Sequence, residues 1–271
     1  MTLSPTLQQF LLGASALVIA GSTVVSGHDE SRPVVDAAVS VVGANTTHLR
    51  NAVSSSPDEA VTVATTSALE ALSSAVGQLS HPDALKDAFS SYFAFKAAHP
   101  DEVKKPYLYF VDYGQPSTAK RGYVFDMQAL KIVDGPFTVA HGRGSSTSQY
   151  GVPTRFSNAS GSNSTSLGLY VTKALYDFHG KSGGHRYSSV GLRLDGVSTG
   201  FNDKALGRGV VAHGAPYVTP TRAGRSEGCP AMEPSRAKEL LPKLAQGAMV
   251  FLFAPNEQWM EHDPWITANA G

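Results

Sequence analysis

Gly224-Arg225-Ser226-Glu227-Gly228-Cys229-Pro230 holds the only cysteine in a chain of 271 residues. A cysteine kept for packing usually stands in an apolar run, where it behaves as a small hydrophobe. Cys229 instead follows a polar Arg-Ser-Glu triplet and lies between a glycine and a proline, which is turn chemistry. Upstream, Gly209-Val210-Val211-Ala212 reads as the end of a strand that runs out at His213-Gly214. An imidazole at a strand end and a thiol in a turn are the two halves of a nucleophile–base pair. The rest of the chain is read outward from these two segments.

The thiolate is the nucleophile, and an unperturbed thiol has a pKa of about 8.5. At neutral pH a few per cent is ionised, so complete ionisation gains at most about thirtyfold. Backbone N–H donors aimed at the oxyanion supply about 10²–10³-fold. Gly228 lets the chain turn sharply enough to aim them. On these grounds ionising the thiol is expected to be the smaller part of the catalysis.

Around the two segments the pattern is mainly β. Tyr107–Val111, Arg121–Asp126 and Pro136–Ala140 alternate with turn residues and predict an antiparallel meander. Further strands are predicted at Leu169–Thr172, Val190–Leu194, Arg208–Ala212 and Ala248–Ala254. Between Arg143 and Gly168 the chain is rich in Ser, Gly and Asn, a loop too long to be neutral in a compact domain. The segment His179 to His185, rich in glycine, reads as a solvated loop or groove rim. Pro234–Gln246 predicts a helix with Leu240, Leu241 and Leu244 inward, shortened or kinked by Pro242. A second helix is expected over 81–105, opened by Ser80 as its cap, with Leu85, Phe89, Tyr92 and Phe93 on one face.

The N-terminal third differs in character. Phe10 to Val25 is an apolar run suited to a signal peptide or membrane anchor, so residues 1–27 are assigned to export and a membrane contact is expected there. Residues 28–80 are small and β-branched with helical patches such as 67–78, and read as a spacer. The expected organisation is completed by a folded domain over 106–255 and a tail over 256–271.

Composition narrows the function. Lys plus Arg and Asp plus Glu both number 22, so no global charge marks the chain for nucleic acid. One cysteine excludes an internal disulfide framework. No short His-x-x-x-His or Cys-x-x-Cys spacing is present, and neither a metal nor another cofactor is expected.

Taken in order, these phrases resemble the L,D-transpeptidases, the YkuD-type catalytic domain in its second, more divergent branch. The resemblance rests on His213-Gly214 followed by Ser226-Glu227-Gly228-Cys229. It extends to Val139-Ala140-His141-Gly142, Phe156-Ser157-Asn158, Ser166-Leu167-Gly168-Leu169-Tyr170 and Ala215-Pro216-Tyr217-Val218, and so runs from Tyr107 to Ala254. It implies a β-sandwich domain with one or two flanking helices. It also implies a periplasmic cell-wall enzyme of bacteria, whose partners are peptidoglycan stem peptides.

In the roles so implied, Cys229 attacks a stem carbonyl and His213 is the base. The Gly214 carbonyl orients the imidazole, and the N–H groups of Gly228 and Cys229 hold the oxyanion. An amine acceptor gives a cross-link, of the 3,3 type or the 1,3 type. Water as acceptor would make the protein an L,D-carboxypeptidase, and an inert thiol would leave a wall-binding module. Arg225, Ser226, Tyr217 and His141 are the candidate groove residues: Arg225 for a stem carboxylate, Tyr217 and His141 as walls. Glu227 departs from the family, which carries His or often Trp before the Gly-Cys.

Overall fold

The computed structural model describes residues 56–268. The apolar run at residues 10–25, and with it the expectation of export and membrane contact, lies outside them. Among the described residues no helix is long and apolar enough to cross a membrane.

An eight-stranded mixed sheet carries the fold, in keeping with the mainly β reading. In chain order its strands are β1 (Tyr107–Asp112), β2 (Gly122–Asp126), β3 (Lys131–Phe137), β5 (Gly168–Ser182), β6 (His185–Gly196), β7 (Val211–Gly214), β11 (Ala231–Met232) and β12 (Met249–Phe253). They lie in the order β11-β7-β6-β5-β12-β1-β2-β3. Short ribbons are made by β4 (His141–Gly142) with β10 (Arg225–Ser226), and by β8 (Val218–Thr219) with β9 (Arg222–Ala223). At the centre β1 and β12 run parallel, Phe110 opposite Phe251, and Met249–Phe253 is buried throughout. A continuous apolar run of this kind suits a strand covered on both faces.

The β1-β2-β3 meander is antiparallel, as predicted. Its third strand begins earlier than Pro136, because Lys131–Phe137 pairs with β2 through a register shift. Pro136 is tolerated there since β3 is the sheet's edge, where a missing N–H breaks no ladder.

Helix α1 (Pro57–Leu72) packs on α2 (Ala84–Ala98), which lies over β12, β1 and β5, while α3 (Pro234–Leu244) covers β7 and β6. The start of α1 is written in Ser56-Pro57-Asp58-Glu59: the Ser56 hydroxyl accepts from the Glu59 N–H at 3.2 Å, and proline fills the first helical turn. Ser80 does not cap α2. It is drawn away by Asp112, whose carboxylate accepts the Ser80 N–H at 2.7 Å and its hydroxyl at 2.5 Å, and the helix opens at Ala84. A charged acceptor outcompetes the weaker cap. At the C terminus α4 (Glu257–Met260) and α5 (Pro264–Thr267) are capped by Asn256 and Asp263, and Trp259 packs on Phe251 and Phe253.

Candidate active site

The histidine strand and the cysteine turn meet at one end of the sheet. β11 pairs in parallel with β7, Ala231 opposite His213, and the His213 N–H points to the Pro230 carbonyl at 3.4 Å. The backbone on either side of Cys229 is thereby tied to the strand that holds the histidine. On the other side β10 pairs with β4, Ser226 opposite Gly142. A Cβ on Gly142 would come within 2.8 Å of the Gly228 Cα, so glycine is required for the two chains to close on each other.

Gly228 itself has φ +126, a conformation L side chains rarely adopt. The turn is held by Ser226, whose hydroxyl donates to the Cys229 carbonyl at 2.7 Å and accepts the Gly228 N–H at 3.1 Å. Two sequence assignments change here. Ser226 is buried and occupied by the turn, so it does not line a groove. The Gly228 N–H is engaged, while the Cys229 N–H has no partner among the described residues.

His213 is buried, and its Nδ1 lies 3.0 Å from the Gly214 carbonyl. A carbonyl only accepts, so Nδ1 carries the proton and Nε2 is the basic nitrogen. Phe178 stacks on the ring at a centroid distance of 4.0 Å and 18°. Burial pushes the imidazole down to about 4, partly opposed by the Gly214 hydrogen bond.

Cys229 is half-buried, with its thiol 4.0 Å from the Gly209 carbonyl. Burial pushes the thiol up to about 11, against the pull of the Val211 N–H and Arg208. Both groups therefore rest neutral near pH 7, and the thiol makes no hydrogen bond to the imidazole among the described residues. At about 11, ionisation near pH 7 costs about four units, or about 5 kcal/mol. This reverses the expectation drawn from an unperturbed thiol, for which ionisation was the smaller cost.

Long strands β5 and β6 build one wall. They join through Gly183-Gly184, both at positive φ, a two-residue hairpin turn. The stretch read as a loop is thus the tip of a hairpin. Side-chain alternation puts Tyr176 and Phe178 on the same face as Tyr187, and Tyr187 meets Tyr217 edge-on at 6.5 Å. Tyr217 therefore belongs to an aromatic wall continuous with the ring on His213.

One groove candidate turns out to be internal, and another is engaged elsewhere. His141 is fully buried and lines nothing: Arg121 donates to its Nδ1 at 3.0 Å, and burial with Arg121 and Arg225 nearby pushes it down to about 3. Arg121 is also fully buried, satisfied by the carbonyls of Val139 and Gln115 and stacked on Tyr113 at 4.7 Å. Arg225 donates to the Ser146 and Thr147 carbonyls at 3.1 and 3.4 Å, which makes it a loop brace. Glu227 faces out and pairs with Arg143 through two 2.9 Å contacts.

Arg208, which sequence reading placed at the start of a strand, stands in the turn before β7. Its guanidinium donates to the Ser157 and Ser164 carbonyls, each at 2.9 Å, and to the Ser166 and Ser162 hydroxyls. It therefore holds the serine-rich loop against the cysteine turn, and Ser145, Thr165 and Ser166 of that loop are buried. No group of His, Cys, Asp and Glu suited to a metal ion occurs among the described residues.

Comparison with known proteins places this geometry. A family model described as L,D-transpeptidase catalytic domain matches residues 78–253. No curated protein matches the chain. Among solved structures, the Ldtfm–avibactam carbamoyl enzyme is 16% identical over 56% of this chain and 50% of its own, with a TM-score of 0.35. An L,D-transpeptidase from Mycobacterium smegmatis is 13% identical over 55% and 59%, at 0.33. One from Stackebrandtia nassauensis is 17% identical over 63% and 66%, also at 0.33. The chain thus spans half to two thirds of these proteins. The matched residues run through the sheet from β1 to β12 and take in both the histidine strand and the cysteine turn, and the chain belongs to the L,D-transpeptidase catalytic domain family.

Proposed function

We propose that the protein is a peptidoglycan L,D-transpeptidase, exported to the periplasm, that works through an acyl-enzyme on Cys229. The observation that carries this reading is the His213 tautomer: Nδ1 is held by the Gly214 carbonyl at 3.0 Å, leaving Nε2 to take a proton on the strand tied to the cysteine turn. In the first half-reaction Sγ bonds to the stem carbonyl carbon while its proton passes to Nε2. The tetrahedral oxyanion is met by the Cys229 N–H, collapse expels the terminal D-Ala, and Nε2 returns the proton to the departing amine. In the second, an amine of another stem attacks the thioester, gives its proton to Nε2, and the thiol is released reprotonated. The aromatic wall of Tyr176, Phe178, Tyr187 and Tyr217 runs to the ring on His213, and an acceptor stem lying along it would compete with water for the thioester.

The test is to incubate the protein with purified disaccharide-tetrapeptide and analyse the products by tandem mass spectrometry. A dimer lacking one D-Ala, with the new bond between third stem residues, is expected. A bond from the first residue would mean 1,3 transfer. Tripeptide monomers alone would mean an L,D-carboxypeptidase, and an unchanged substrate would sink the enzymatic reading.

A further inference from the structure

A cleft of about 300 Å³, which includes neither His213 nor Cys229, opens beside the serine-rich loop. Phe156 and Phe201 line it, half-buried, with the buried Trp259, and Asn158, Asn256 and Gln258 supply amides. The Asn158 amide is fixed, donating to Asp203 at 2.7 Å and accepting from the Lys204 N–H at 3.2 Å. The Asn256 Oδ1 is taken by the Trp259 N–H at 2.9 Å, which leaves its Nδ2 unpaired, and the Gln258 side chain makes no hydrogen bond among the described residues. The volume is at the low end of small-molecule sites, and the lining sets aromatic rings beside a somewhat larger share of polar surface.

Every lining side chain is neutral. That argues against the stem peptide, with its carboxylates and ammonium, and for an uncharged ligand with apolar faces and an amide-bonding edge. A pyranose bearing an N-acetyl group has this chemistry: its C–H face lies on aromatic rings, and its hydroxyls and acetamide pair with Asn and Gln. The cleft is also placed for it. The Ser157 carbonyl, in the cleft wall, accepts from Arg208 at 2.9 Å, and the guanidinium's other nitrogen lies 3.8 Å from where a Cβ on Gly228 would stand. One guanidinium group thus lies between the Ser157 carbonyl of the cleft wall and the backbone of the cysteine turn, and three extended stem residues reach about 10 Å.

We infer that this cleft binds an N-acetylated sugar of the glycan strand that carries the donor stem, an inference that rests on the transpeptidase reading. It makes the glycan, and not the stem alone, part of what the enzyme recognises. The test uses the full chain and two readouts. Saturation-transfer NMR with the peptide-free GlcNAc–MurNAc disaccharide, its lactyl carboxyl capped as an amide so that the probe is uncharged, is expected to show transfer to ring and acetyl protons, lost in Phe201→Ala and in Gln258→Ala, the second being a change at an exposed side chain that leaves packing intact. The KM for disaccharide-tetrapeptide is expected to be about three- to tenfold below that for free tetrapeptide, with the gap closing in both variants. Absence of transfer, transfer unchanged in both variants, or equal KM values would overturn the inference. Absence of turnover on either substrate would instead defeat the transpeptidase reading, with the NMR result still deciding the cleft.

Discussion

Phe178→Ala removes the ring that covers His213 and tests why the imidazole is so weak a base. The ring stacks at 4.0 Å and 18°, and burial is the main cause of the imidazole's fall to about 4 from an ordinary 6.5. That depression of about 2.5 units corresponds to about 3 kcal/mol against the charged form. Opening one face to water should return about one to two units of it. Because His213 must be neutral to accept the thiol proton, the acidic limb of kcat/KM should sit near pH 4 in the parent protein and move to about pH 5–6 in the variant. The matching assay is a pH–rate profile on tetrapeptide substrate, paired with NMR titration of the His213 ring. Phe178→Leu, which keeps an apolar cover, should shift the limb less. A limb that stays near pH 4 in Phe178→Ala would refute the argument that this ring dries the base.

Other outcomes follow from the same geometry. Gly228→Ala forces a side chain onto φ +126 with its Cβ 3.0 Å from the Ser164 carbonyl, so it should cost about 1–3 kcal/mol in urea unfolding and most of the activity. Ser226→Ala frees the Gly228 N–H and the Cys229 carbonyl together; kcat should fall about 10- to 100-fold with KM little changed, since the turn and not a substrate contact is lost. Asp87, buried on α2 with one oxygen unpaired among the described residues, is raised to about 6 by burial and by Asp83. A raised carboxyl contributes stability below its unfolded pKa near 3.8 and loses it as pH rises through 6. Asp87→Asn should therefore stabilise the fold by about 3 kcal/mol at pH 8 and by almost nothing at pH 3.5, as read by denaturant titration. Alkylation of Cys229 by iodoacetamide should rise about tenfold per pH unit up to about pH 11; a plateau near pH 7 would show a preformed thiolate–imidazolium pair.

The parts of the fold and site legible in the sequence were those governed by local rules. Alternating β-branched and aromatic residues marked β1, β2 and β12, and the glycine-flanked thiol marked the turn. What stayed hidden depended on partners distant in the chain. Ser80 looks like a cap until Asp112 is brought beside it. His141 looks like a cleft residue until Arg121 is found buried against it. Arg208 carries no local signal, because its role comes from four oxygens in a loop far upstream. Two further features carry local signals of their own: the capping box at Ser56–Glu59, and the Gly183-Gly184 hairpin, whose register brings Phe178 toward His213. The thiol's raised pKa was not readable at all, since burial is a property of the assembled site.

The central claim is that Cys229 becomes acylated by a stem peptide with His213 as its base. Intact-protein mass spectrometry after brief mixing with disaccharide-tetrapeptide tests it directly. The account predicts an adduct equal to the substrate less D-Ala, mapped to the Gly224–Pro230 segment, absent in Cys229→Ala and formed far more slowly in His213→Ala. Turnover without such an adduct in a rapidly quenched sample, or an adduct that persists in Cys229→Ala, would contradict it.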